Sequence, residues 1–432
     1  MGFQQGLSGL NASSKSLDTI GNNIANSGTV GFKNASAQFA DVFAASLNGA
    51  GAAPVGIGTK VAGIVQQFSQ GNISVTNNPL DTAINGGGFF QMDDGSGGTV
   101  YGRNGQFQLD KDGFIVNAQG LQLKGIAAVN GVIATGSPAV PLRLFDPTQS
   151  LSGTPQMTGG SAAASGIQAN VNLDSRLAAP ATAPFNFADP TSYNQSTATT
   201  VYDSLGNPHT YSMYFVKAAA ANTWRVYATV TNPSGASPTF TDLSGGGATP
   251  LGTLTFNTSG AITSAPFAAS ITAAQFGYAG AVATPQAFPV DFSGSTQYGA
   301  QFAVNALIQD GFSSGTLAGF NIGKDGVVLG RYTNGQTKPV GQVTLATFRN
   351  PQGLQPLGDN RWAQSPSSGD PITGSPGSSG QYGVLQSSAL EDSNVDLTAE
   401  LVNMITQQRA YQANAQTIKT QDSILQTLVN LR

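Results

Sequence analysis

The sequence predicts an α+β fold: paired N- and C-terminal helices forming a coiled coil, plus mainly antiparallel β domains on a chain that goes out and returns. Three observations predict it. The last 40 residues carry an unbroken heptad pattern, the first 25 carry a shorter version of the same pattern, and the middle reads as short strands punctuated by Asn-Gly and Asp-Gly.

At the N-terminus, Phe3, Leu7, Leu10, Ser14, Leu17, Gly21 and Ile24 alternate at spacings of four and three. Ile20 widens the apolar stripe. Gly6, Gly9 and Gly21 each weaken such a helix by about 1 kcal/mol relative to Ala. The stretch "LDTIGNNIANSGTVGFK" (Leu17–Lys33) then stops abruptly at Gly28 and Gly31. So short a stripe is marginal alone in water and calls for a partner.

The middle is β throughout. "INGGGFFQM", "YGRNGQFQLD" and "DGFIVNAQG" are hairpin-like runs. "KDGFIV" (Lys111–Val116) recurs loosely as "KDGVVL" (Lys324–Leu329), and "NGQ" recurs at Asn104–Gln106 and Asn334–Gln336. These repeats fit two halves of one β domain interrupted by an insertion. Within the insertion, "TYSMYFV" (Thr210–Val216) and "WRVYATV" (Trp224–Val230) alternate as half-buried strands do. Ser-, Ala- and Pro-rich stretches flank that block.

The C-terminal helix is the clearest element. Leu397, Leu401, Met404, Gln408, Tyr411, Ala415, Ile418, Asp422, Leu425 and Val429 form an a/d seam, with Leu428 beside it and no Pro or Gly from Ser393 onward. Ser393 with Asp396 reads as a capping box. Its polar positions are mostly amides, including Gln407, Gln412, Asn414 and Gln416, where a surface helix carries more Lys and Glu. An amide-rich outer face suits a second packing surface. Two striped helices at opposite chain ends therefore meet. The expected division is 1–30 with 393–432 as a helical domain and 31–80 with 361–392 as a connecting segment. Residues 81–146 with 290–360 form a discontinuous β domain, and 147–289 an inserted β domain.

Composition narrows the function. Charged residues are 9% of the chain, against an ordinary share of about 25%. Neutral polar surfaces of this kind suit close self-packing; they equally suit a secreted β-rich protein. The net charge of −4 comes without a basic patch, so no nucleic-acid partner is expected. No segment approaches the length and apolarity of a membrane helix, so no membrane insertion is expected. The N-terminus lacks the cationic start and apolar run of a Sec-type leader, and Gly6 stands where a myristoylation motif wants Ser or Thr. There is no Cys and one His, His209, which excludes disulfides and thiolate chemistry and makes a metal site improbable. The one G-x-S-x-G, Gly311–Gly315, is followed by no helix pattern, and His209 precedes its Ser313. "LDKDGF" (Leu109–Phe114) lacks the later acidic ligands of a calcium loop, and Gly86–Gly88 matches no phosphate loop. No catalytic, cofactor-binding or metal-ligating residue is expected, and no enzyme.

The two ends resemble the signatures of the bacterial flagellar axial proteins. In "LDTIGNNIANSGTVGFK" the signature positions are Asn22, Asn23, Asn26, Gly31, Phe32 and Lys33. Together with the C-terminal stretch from Asn394, "NPLDTAINGGGFFQ", "VYDSLGNPHTYSMYFV" and "FRNPQGLQPLGDNRWAQS" look like the flagellar hook protein family. The resemblance implies a structural subunit that self-assembles into a helical homopolymer, the joint that transmits motor torque from rod to filament. It implies an inner tube of paired terminal helices with β domains outside. It also implies export through the flagellar type III apparatus without a cleaved signal peptide, to an extracellular place in the flagellum. The partners implied are the hook cap protein, the distal rod protein and the hook–filament junction protein. Leu7, Leu10, Leu17, Ile20, Ile24, Leu397, Leu401, Met404, Tyr411, Ile418, Leu425 and Leu428 are then the expected assembly interface. A distal rod subunit is the alternative within the family, and a secreted β-rich adhesin the alternative outside it.

Overall fold

In a computed structural model the chain is described over residues 2–430 except 43–55, 96, 130, 135, 146–151, 154, 161–165, 233–238 and 277–285. It divides into two compact units. Unit 1 is assembled from Met1–Ser150, Ala318–Arg331 and Thr337–Arg432. Unit 2 is Leu151–Leu317 with Tyr332–Gln336.

Unit 1 contains both long helices, α1 (Gly2–Ala25) and α2 (Leu397–Asn430). The cap of α2 differs from the expected one. Asp396, not Ser393, is the N-cap: its carboxylate accepts the amides of Thr398 (2.9 Å) and Ala399 (3.1 Å). The residues before it cannot join the helix because Asn394 is occupied, accepting from the Asn34 amide at 2.7 Å and donating to the Gln67 carbonyl at 2.9 Å.

The segment after α1 is a two-stranded antiparallel ribbon, β1 (Ala35–Val42) and β2 (Gly58–Gln66), running Ala35↔Gln66 to Val42↔Gly58. It packs along α1. Beyond it, early strands pair with late ones: Ile73–Val75 with Ala389–Glu391, and Thr82–Asn85 with Val384–Ser387. The β body of unit 1 is antiparallel, with Phe89–Asp93 between Thr99–Gly102 and Gln122–Ala127, and Thr337–Val343 beside the latter. Ile84, Phe90, Met92, Ile115, Leu123, Val328 and Leu345 fill its core. Both KDG stretches are turns: Asp110 accepts the amides of Asp112 and Phe114, and Gly113 and Gly326 take φ of +82° and +80°.

Unit 2 sets a four-stranded sheet (Phe267–Ile271, Gln286–Asp291, Ile167–Asn172, Ala303–Gln309) against a five-stranded one. In the second sheet Pro208–Lys217 pairs antiparallel with Thr223–Asn232, from Tyr211↔Val230 to Lys217↔Trp224. Both sheets share one core, including Ile167, Val171, Tyr211, Phe215, Trp224, Phe288 and Phe292. The expected boundary at 289/290 falls inside this unit, because Ala303–Gln309 pairs along the whole of Ile167–Asn172. The insertion therefore closes at Leu317.

Candidate assembly interface

The helices of unit 1 run antiparallel. A Cβ on Gly6 would lie 2.9 Å from Ile418 Cγ1, and one on Gly9 would lie 2.8 Å from Asn414 Nδ2. At the other end Asn23 Nδ2 donates to Glu400 Oε1 at 3.3 Å. Two of the glycines that weaken α1 as an isolated helix are thus places where α2 packs tightly against it; Gly21 has no neighbour within 4 Å. At this register the last turns of α2 run past the start of α1.

α1 buries part of the expected stripe together with small and polar residues beside it. Gly6, Ser13, Thr19, Ile20 and Asn23 are buried, while Leu10, Leu17 and Ile24 are only partly covered and Leu7 and Phe3 stay 44% and 48% exposed. On α2 the better covered positions are Glu400, Met404, Gln407, Ala410, Asn414, Ala415, Ile418 and Gln421. The helix pair therefore combines small and polar residues with Ile20, Met404 and Ile418. Many large apolar residues are left over: Leu397, Leu401, Val402, Ile405, Tyr411, Ile424 and Leu425 are exposed. The side chain of Leu428 lies outside the described residues. The apolar surface that the pair leaves unburied calls for further partners.

The signature residues build the junction between helices and β body. Asn26 Nδ2 donates to the Asn22 carbonyl at 3.0 Å and ends α1. Asn23, 1% exposed, exchanges both backbone bonds with Ala35, at 2.8 and 3.0 Å, and so pins the ribbon's base to α1. Gly31 has φ +69°, and a Cβ there would sit 2.7 Å from Asn104 N. The Asn394 amide donates to the Phe32 carbonyl at 3.4 Å.

Lys33 is buried in an ionic cluster. Its Nζ reaches Glu391 Oε1 at 2.5 Å and the Ser69 carbonyl at 2.7 Å. Arg103 Nη1 donates to Glu391 Oε2 at 3.1 Å, and its Nη2 to the Gly86 carbonyl at 2.9 Å. The Gly71 amide donates to Glu391 Oε1 at 2.9 Å. Two cations thus share one carboxylate. Burial pulls the Lys33 ammonium below its ordinary value, with Glu391 opposing. Burial likewise lowers Arg103. The cluster joins the exit of α1, the β body and the approach to α2. Nothing local in the sequence pointed to Glu391 or Arg103.

The residues weighed for chemistry are used structurally. His209 Nδ1 lies 3.0 Å from the Thr231 carbonyl and Nε2 lies 3.4 Å from Asp203 Oδ2, with its ring 4.3 Å from that of Phe276. The same Asp203 accepts the Leu205 and Asn207 amides, so "YDSLGNPH" is a turn locked by its own carboxylate. Ser313 is followed by the strand Gly315–Ile322. Among the described residues no group of three or more His, Asp or Glu could hold a metal ion, and no helix is long and apolar enough to cross a membrane.

Four family models match. Residues 3–33 match the flagella basal body rod protein model, and residues 83–145 the D1 domain of flagellar hook protein FlgE/F/G. Residues 172–312 match the flagellar basal body protein FlaE D2 domain, and 386–431 the C-terminal model of flagellar basal body rod FlgEFG proteins. The chain is 43% identical to the flagellar hook protein FlgE of Escherichia coli strain K12 and to that of Salmonella typhimurium, covering 100% of each pair of chains. It is 34% identical to the FlgE of Rhizobium meliloti, over 100% of this chain and 98% of that one. A solved structure, the Helicobacter pylori flagellar hook protein FlgE2, shares the fold with TM-score 0.51 and 14% identity, over 74% of this chain and 100% of that chain.

Proposed function

Because the chain belongs to the flagellar hook protein family, we propose that its terminal helices drive self-assembly into the hook, and that this face takes its remaining apolar contacts from other copies. One observation carries the reading: α1 and α2 close on each other through Gly6, Gly9, Asn414 and Ile418 and leave Leu7, Leu397, Leu401, Val402, Ile405 and Leu425 uncovered. Covering a Leu or Ile side chain is worth about 1.5–3 kcal/mol. A row of them repeated in every copy makes a polymer favourable where a monomer is not.

In this reading 1–30 with 393–432 forms the inner tube, 31–80 with 361–392 connects it outward, and the β domains lie outside. The charge-poor β surfaces would meet through small wet contacts that exchange cheaply as the tube bends. The subunit leaves the cell through the flagellar type III apparatus without leader cleavage and adds beneath a cap protein, between the distal rod protein and the hook–filament junction protein. The hook relatives align over the full chain, inserted unit included, which favours hook over distal rod. Its role is mechanical and no catalytic step is assigned.

Electron microscopy of the concentrated purified protein tests the reading. Hollow tubes are expected from the full chain. A variant lacking Leu401 to the end should form none while keeping the β signal in circular dichroism. Tubes from that variant would overturn the role of α2.

A further inference from the structure

Unit 1 carries a pocket of about 350 Å³ beside the junction, sharing Arg103 with it. Phe68, Phe89, Phe348 and Ile372 give it an apolar wall, and Arg103 and Arg349 line it too. Arg103 is 3% exposed, and its Nε has no hydrogen-bond partner among the described residues. It belongs to a cluster in which Lys33 and Arg103 face the single carboxylate of Glu391, leaving one positive charge in excess. Arg349 is exposed and makes no ion pair among the described residues. An apolar wall beside Arg349, unpaired among the described residues, and beside a cluster with one positive charge in excess fits an aromatic side chain followed closely by a carboxylate.

The chain presents that combination on its ribbon. Phe39 is 41% exposed, and Asp41, two residues along β1, stands on the same face, also exposed and with no ion pair among the described residues. A copy cannot serve its own pocket. Asn23 pins the ribbon at Ala35, and Phe68 lies two residues past Gln66, the partner of Ala35. Asp41 is held at the far end, where Thr59, its partner, bonds Ser8 Oγ of α1 at 3.3 Å. Six extended residues separate Ala35 from Asp41, about 20 Å.

We propose that this pocket receives the Phe39–Asp41 face of the ribbon of a second copy, with Asp41 facing Arg349 and Arg103 and the Phe39 ring against the aromatic wall. The contact rests on the self-assembly reading and adds a second joint to it, separate from the helices. Charge reversal in both directions tests it. Arg349→Asp and Asp41→Arg, both at exposed sites, should each raise the critical concentration for tube formation by about tenfold, which corresponds to about 1.4 kcal/mol. The double variant should return it to near the wild-type value. Either single variant assembling like wild type, or a double variant no better than the singles, overturns the proposal. A second measurement does not depend on altering the pocket's charge. The chain has no cysteine, so Ile372→Cys can carry a photoreactive cross-linker, in tubes grown from equal parts of light and ¹⁵N-labelled protein. Cross-links from one isotope to the Phe39–Asp41 peptide of the other support the contact. Cross-links confined to single copies, or landing elsewhere, refute it. Failure of the unaltered protein to form tubes would instead refute the assembly reading, and the pocket contact with it.

Discussion

Removing the Glu391 carboxylate should destabilise unit 1 far more than removing either cation it holds. In the native cluster two positive groups face one negative group, and Lys33, Arg103 and Glu391 are at most 3% exposed. Glu391→Ala leaves two positive charges with no counter-charge. Lys33 keeps only the Ser69 carbonyl and Arg103 only the Gly86 carbonyl. Two charged hydrogen bonds at about 1.5–3 kcal/mol each agree with the roughly 3–5 kcal/mol typical of breaking a buried pair from one side. Lys33→Met makes the cluster neutral, and Glu391 keeps Arg103 and the Gly71 amide. That change should cost about 1 kcal/mol or less, because replacing a buried ion by an apolar group is often close to neutral. Urea unfolding measures the contrast. Trp362 lies in unit 1 and Trp224 in unit 2, so a Trp224→Phe background makes emission report on unit 1. With a slope of about 2 kcal/mol per molar, Glu391→Ala should lower the midpoint by roughly 1.5–2.5 M. A shift no larger than that of Lys33→Met would refute the account of the cluster.

The same cluster has a pH signature. The native Lys33 pKa is lowered from 10.5, so near that value the unfolded chain holds a proton the native one has released. Unit 1 should therefore gain stability in urea titrations as the pH rises toward 10.5, and Lys33→Met should abolish the gain. Leu401 is 45% exposed. If neighbours cover the rest, about 0.7–1.4 kcal/mol is at stake, so Leu401→Ala should raise the critical concentration about three- to tenfold in sedimentation assays while leaving monomer unfolding unchanged. Gly31→Ala should cost roughly 2–4 kcal/mol in thermal unfolding, since it combines a left-handed backbone with a clash against Arg103 and Asn104 backbone atoms.

The readable parts of the fold were those with local causes. Heptad spacing located both helices, and alternation found the Thr210–Val216 and Trp224–Val230 strands within one or two residues of their observed ends. Asp-Gly placed turns correctly because only glycine takes φ near +80° cheaply. Errors arose where a distant partner decides. Hydrophobic spacing marked the Leu7–Leu10 side of α1 but gave no sign that Gly6 and Gly9 sit against Ile418 and Asn414 of α2. The cap moved from Ser393 to Asp396 because Asn394 is held by Asn34 and Gln67. Lys33 stood out as a signature residue, yet its partner lies 358 residues away and no window of sequence contains both. The ribbon passed unnoticed within the connecting segment, since Gly and Ala interrupt its alternation.

Unit 1 joins its earliest strands to its latest: Ile73–Val75 waits for Ala389–Glu391, and Thr82–Asn85 for Val384–Ser387. A ribosome must therefore finish nearly the whole polypeptide before this portion can close. Unit 2, drawn mostly from one uninterrupted run, faces no such delay. A cut at Leu401 spares both late strands and should leave that closing step intact, whereas a cut before Val384 removes them and should prevent it as surely as an error in the core.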